Sequence, residues 1–134
     1  LVAYMPVVAG MGGYAGMQTL AVVVRGLAMQ RVPFRTGARI ALNEVLASLV
    51  NGSITGGLVA LVALFLSQNP LLGLIVLVSI VINLVIAGFF GTLVPLVMQR
   101  LGKDPAISAS IFITTATDVS GFFVFLGLAS LFLR

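Results

Sequence analysis

The sequence has no cysteine and no histidine, and only three acidic residues among its 134. Without cysteine there are no disulfides and no thiolate metal sites. Without histidine, imidazole acid–base catalysis and the usual zinc sites are excluded as well. Charge is scarce altogether, at 7% of residues. Tyr4 and Tyr14 are too few to mark an aromatic belt at a membrane interface. No nucleophile–base pair or redox motif occurs. The glycine-rich run Gly10–Gly16 is not followed by Lys-Ser/Thr, so it does not read as a phosphate-cradling loop. The chain reads as a non-enzyme.

What is present is apolar. Hydrophobic residues make up 60% of the chain, and the mean hydropathy is +1.26. That profile belongs to an integral membrane protein, with the lipid bilayer as its first partner; a cell (inner or plasma) membrane is the expected location. The expected fold is all-α, a single membrane domain over residues 1–134. The net charge of +4 does not point to nucleic acid, because six of the seven basic residues are grouped at Arg25–Arg39 and at Arg100–Lys103. Such groups are topology signals.

Four spans are expected: about Val2 to Met29, Arg39 to Leu66, Leu71 to Gln99, and Pro105 to Leu133. Each exceeds the roughly 20 residues needed to cross hydrocarbon. No charged residue occurs between Val45 and Gln99, and the only break is Ser67-Gln68-Asn69-Pro70. That cluster is a turn signal, and Pro70 suits the first turn of the next helix, so two spans should form a tight hairpin. Two-residue alternation is missing, which argues against barrel strands. The basic linkers 30–38 and 100–104 should both be cytoplasmic. The chain then starts outside, within an apolar run and without an initiating Met, so a fragment with at least one further span upstream is expected.

Each of the three acids has two readings. Asp118 is the only charged residue within the last span, about 20 Å along the helix from its cytoplasmic end. A carboxylate at that depth costs several kcal/mol, about 2.5 or more, unless it meets water, a partner or a cation. It is either an interhelical hydrogen-bonding acid or a carboxylate on a cation pathway. No basic residue lies at comparable depth, which favours the pathway. Ser110, Thr114, Thr115, Thr117 and Gly121 give its surroundings a polar, close-approach character. Asp104 precedes Pro105 as an ordinary helix cap. Glu44, one turn into the second span, is either snorkelling beside Arg39 or part of a cytoplasmic-side cation site with Asp104. Arg25 reads as an interface anchor.

The first span carries the other unusual feature, Gly10-Met11-Gly12-Gly13-Tyr14-Ala15-Gly16. Each glycine weakens a helix by about 1 kcal/mol relative to alanine. The run serves either close packing, through Gly12 and Gly16, or a broken helix whose freed carbonyls line a cavity. A Gly-broken first span is the sharper expectation. Pro6 and Pro95 are further candidate kinks.

Three segments together resemble the membrane domain of the MgtE family of magnesium channels: 6–28 (PVVAGMGGYAGMQTLAVVVRGLA), 100–106 (RLGKDPA) and 112–122 (FITTATDVSGF). The hairpin 69–73 (NPLLG) also fits. The resemblance covers the last four of that family's five membrane helices. It implies a homodimer whose Gly-rich helix and last helix line a central pore, with Gly12, Gly13, Gly16, Ser110, Thr117 and Gly121 along it. Asp118 matches the aspartate of the family's Thr-Asp-Val motif, one copy from each subunit, with Thr114 and Thr115 one turn earlier. Glu44 and Asp104 match its cytoplasmic-side acids. The transported and bound ion would be Mg2+. The chain departs from the family at Tyr14 and Met17, where polar residues are usual, and at Ser110-Ile111. The family's cytoplasmic regulatory domains are not in this sequence. Two other classes compete with a channel. One is a sodium- or proton-coupled divalent cation carrier, and the other is an assembly subunit using only its glycine face.

Overall fold

The computed structural model describes residues 2–28 and 37–133. A short 3-10 turn, Val2–Tyr4, leads into α1 (Met5–Ala28); α2 (Gly37–Ser67), α3 (Pro70–Arg100) and α4 (Pro105–Phe132) follow. All four helices are long and apolar enough to cross a membrane. The expected spans and the helices agree to within a few residues. Most of the first basic linker, with Arg31 and Arg35, lies outside the described residues.

The hairpin forms where the charge-free stretch breaks. Gln68 takes a positive φ of 53°, which ends α2. Asn69 then caps α3: its Oδ1 accepts from the backbone N–H of Leu71 at 3.0 Å and of Leu72 at 3.4 Å. Pro70 follows as the first helical residue, where its missing N–H costs nothing. Small residues let α2 and α3 run close together. A Cβ on Gly52 would stand 3.1 Å from the Val81 Cα.

α3 is the central helix and packs on α1, α2 and α4. Val76, Ile80, Asn83, Ala87 and Thr92 along it are fully buried. It passes through the buried Pro95 without ending. α1 and α4 also pack on each other, whereas α1 and α2 barely touch and leave a cleft between them. Along α2, Leu42, Leu46, Val50, Ile54, Leu58, Leu61 and Phe65 are exposed. An outer face that apolar belongs against lipid.

One expectation is corrected here. α1 runs unbroken from Met5 to Ala28 through the whole Gly10–Gly16 run. The glycines serve close approach instead of a helix break. A Cβ on Gly16 would come to 2.5 Å from the Ile113 Cγ2, and one on Gly12 would collide with the Asn83 side chain. Packing against α3 and α4 repays the intrinsic helix cost of the glycines. Pro6 sits in the first turn of α1, where proline is tolerated.

Candidate functional site

α1 and α4 lie antiparallel in a register that the small residues define. Gly16 faces Ile113, Gly13 faces Thr117, and Ala9 faces Gly121; the hypothetical Cβ distances are 2.5, 3.8 and 3.1 Å. On α4 the buried stripe recurs every fourth residue: Ala109, Ile113, Thr117, Gly121, Phe125 and Ala129. Asp118 stands beside this stripe, level with Gly12 and Gly13, and is exposed. Among the described residues it makes no hydrogen bond and no ion pair. The apolar Ile111 and Phe122 share its side of the helix and are exposed too.

The threonines around it differ in placement. Thr114 is half-buried and its hydroxyl bonds back to the carbonyls of Ser110 (2.9 Å) and Ile111 (3.2 Å). Thr117 is fully buried and bonds back to Ile113 and Thr114, both at 3.0 Å. Each hydroxyl proton is thereby committed to the helix backbone, leaving oxygen lone pairs as what the side chain offers. Thr115 is exposed, one turn before Asp118 and on the same side of α4 as Ile111, and with Ile111 it lines a groove of about 620 Å3 whose other residues, such as Phe90, Leu93 and Phe112, are apolar. Gly12, Gly16, Thr117 and Gly121 are buried within the protomer, in the packing layer behind the Asp118 face. Gly13 and Ser110 are half-buried at its edge, and Tyr14 and Met17 are exposed.

Glu44 belongs to a second polar region. The Thr19 hydroxyl donates to its Oε2 at 3.2 Å, across from α1 to α2. The pair lines a cleft of about 190 Å3 together with Gln18, Ser48 and Asn51. An adjoining cleft of about 310 Å3 shares Gln18 and Asn51 and adds Tyr14 and Thr55. On α2 these polar side chains recur at Glu44, Ser48, Asn51 and Thr55, the spacing of one helical face. Gln18 and Thr19 are about 120–140° around α1 from Gly13, so this cleft and the Asp118 face lie on different sides of that helix. Among the described residues Glu44 has Thr19, not Arg39, as its partner. Asp104 immediately precedes α4 and does not line the cleft. Among the described residues the three acids form no single cluster.

Asn83 escapes a reading based on charge. It is fully buried on α3; its Nδ2 donates to the Val8 carbonyl at 2.9 Å, and its Oδ1 accepts from the Ser120 hydroxyl at 2.9 Å. A lone amide inside the apolar run 75–87 was the available signal. The cost argument that singles out Asp118 applies to it in weaker form.

The comparisons with known proteins agree with this architecture. The family model MgtE, described as "Divalent cation transporter", matches residues 5–128. The chain is 35% identical over 131 residues to a protein of Bacillus subtilis named "Magnesium transporter MgtE", covering 98% of the chain and 29% of that protein. It is 35% identical over 134 residues to one of the same name from Enterococcus faecalis, covering 100% and 30%. A third relative of that name, from Thermus thermophilus, is 32% identical over 131 residues, covering 98% and 29%. The chain thus spans less than a third of the length of these relatives. On the length of the family match and the level of identity, this all-α membrane chain belongs to the MgtE family of divalent cation transporters.

Proposed function

We propose that residues 1–134 act as one membrane domain, the conducting part of a homodimeric magnesium channel. In this reading the Asp118 carboxylates of two copies face each other across a central pathway that leads to the cytoplasm. The observation that carries it is the exposure of Asp118 at mid-span with no partner among the described residues. A carboxylate on the outside of a membrane protomer is tolerable only if a second copy, water and a cation take the place of lipid. The relatives' shared name supports magnesium as cargo.

The chemistry fits that cargo. Magnesium prefers oxygen ligands and gives up water reluctantly. A site with few protein ligands therefore suits the hydrated ion. Two carboxylates balance one divalent charge. Empty, they repel each other; filled, they are neutralised. The half-buried Thr114, one turn before Asp118, lies close enough along the helix to accept hydrogen bonds from the ion's water shell, and Ser110 stands one turn further along. Nearer the cytoplasm, Glu44 with Gln18, Thr19 and Asn51 offers a second oxygen-lined position for a hydrated cation. Asp104 adds negative charge at the start of α4.

The test is magnesium uptake by the full-length protein in liposomes, driven by the magnesium gradient and voltage alone. We expect uptake without any sodium or proton gradient. A strict requirement for either would overturn the channel in favour of a coupled carrier. A coupled carrier is suggested by a glycine-broken helix and by a mid-span acid; α1 is continuous, and the mid-span acid fits both readings. In the same assay Glu44→Gln should raise the magnesium concentration for half-maximal flux, and an unchanged value would remove Glu44 from the pathway.

The dimer makes a separate prediction, helped by the absence of cysteine from this chain. A full-length protein whose only cysteine is Asp118→Cys should be joined into a dimer by a short bifunctional thiol reagent. Leu58→Cys, on the exposed side of α2, should not be. Equal yields at the two positions would rule out a face-to-face Asp118 pair.

A further inference from the structure

The Asn83 carboxamide sits where three helices meet, and it does so at the height of Asp118. Its Nδ2 donates to the Val8 carbonyl on α1, and its Oδ1 accepts from Ser120, two residues beyond Asp118 on α4. Both bonds are 2.9 Å, and Asn83 is fully buried. The Val8 carbonyl is the one that would pair with the Gly12 N–H in a regular helix. Gly12 and Gly121 make room for the amide. A Cβ on Gly121 would stand 2.8 Å from Nδ2, and one on Gly12 would overlap it. Glycines on two helices, a backbone carbonyl and a hydroxyl are thus all shaped around one side chain.

This is more than helix adhesion. The rest of the α1–α4 seam is apolar or small, with Gly16 on Ile113 and Ala9 on Gly121, and apolar contacts carry no direction, so they leave α4 some freedom to shift along α1. A polar side chain bonded to both helices removes that freedom, because any slide breaks a bond in a medium without water to replace it. The buried amide of a coiled coil sets register in the same manner. We propose that Asn83 is a positioning residue, which fixes the height and rotation of the Asp118 turn of α4 against the glycine-rich face of α1. The proposal rests on the reading of Asp118 as the conducting carboxylate.

The consequence concerns how a magnesium ion is held. A carboxylate pair set at one height presents one spacing to the hydrated ion. Freed from Asn83, the Asp118 turn samples several heights and the spacing spreads. The affinity of the pathway for magnesium then falls even though Asp118 is intact. Residues that stand behind metal ligands have effects of roughly 10- to 100-fold.

Two variants of the full-length protein in liposomes test this. Asn83→Leu keeps the volume and removes both bonds. Ser120→Ala removes only the bond to α4 and is gentle enough to fold if the first variant does not. Flux is normalised to folded dimer measured by size-exclusion chromatography. We expect the magnesium concentration for half-maximal flux to rise roughly tenfold in Asn83→Leu and by a smaller factor in Ser120→Ala. Asn83→Gln, which keeps the donor and acceptor, should recover part of the shift. Unchanged half-saturation per folded dimer in both variants overturns the positioning role, even if thermal stability falls, because adhesion alone lowers stability without altering ion affinity. Asp118→Ala is run alongside. If it leaves flux intact, the reading of Asp118 fails and takes this inference with it. If it abolishes flux while the Asn83 and Ser120 variants match the wild type, only the inference about Asn83 fails.

Discussion

Asp118→Asn and Asp118→Ala should each lower magnesium flux by roughly 10- to 100-fold while leaving the protomer folded. The size follows from the charge removed. A hydrogen bond to an ionised group contributes roughly 1.5–3 kcal/mol, and each 1.4 kcal/mol is about a factor of ten. Asparagine keeps an oxygen at nearly the same place and loses only the charge, so it separates electrostatics from shape. Folding should survive because Asp118 is exposed and makes no bond to the described residues of its own protomer. Stability is expected to stay level or rise, since a carboxylate facing its copy is repelled by it when no ion is bound. Flux of reconstituted protein, read with a magnesium-sensitive dye, checks the first effect, and thermal unfolding in detergent checks the second. Wild-type flux in both variants would sink the role assigned to Asp118. Thr115→Val serves as the contrast. Thr115 lies one turn before Asp118 and lines the mainly apolar groove against α3, and its substitution removes a hydroxyl but no charge, so flux should fall by a smaller factor than in the Asp118 variants.

How much of this was legible beforehand depends on the kind of signal. The hairpin was readable because Gln68-Asn69-Pro70 interrupts an otherwise charge-free stretch, and capping by Asn69 is local chemistry. Asp118 stands out as a candidate in the sequence because a charge at bilayer depth is expensive wherever it points. The Gly10–Gly16 run was ambiguous, since glycine permits both a break and a close approach. Only the facing residues, Ile113 and Asn83, decide for approach. Helix pairing itself was not legible. α3 is apolar on every side, so no periodic face announces that Asn83 meets Val8 and Ser120 while Leu74 is exposed. Glu44 shows the same limit. Sequence proximity suggested Arg39, and the partner is Thr19, on another helix. The polar cleft between α1 and α2 escaped for that reason too: its residues come from two helices, each carrying only a few polar side chains.

Gly16→Val carries the largest expected effect on folding. The added Cβ alone would stand 2.5 Å from the Ile113 Cγ2 and 3.8 Å from the Ala87 carbonyl oxygen. Neither side can yield easily. Ile113 is fully buried, and a Cβ on Gly91 of α3 would already stand 3.0 Å from the Gly16 carbonyl. Overfilling a packed site costs about 1–3 kcal/mol, and moving α1 as a whole would also strain the Asn83 bonds to Val8 and Ser120. We expect Gly16→Val to lower the unfolding temperature by several degrees or to prevent recovery of folded dimer. Gly57→Ala should do the reverse, because nothing lies within 4 Å of a Cβ at that position. Alanine improves an open helical position by about 0.5–1 kcal/mol. Matching unfolding temperatures for the two variants would contradict close packing at Gly16. Gly10→Ala then separates packing from flexibility, since a Cβ there also meets nothing within 4 Å. If the glycine run worked by breaking the helix, alanine at Gly10 would stiffen it and reduce flux. With α1 continuous and the glycines used as contact points, Gly10→Ala should leave flux unchanged and raise stability slightly.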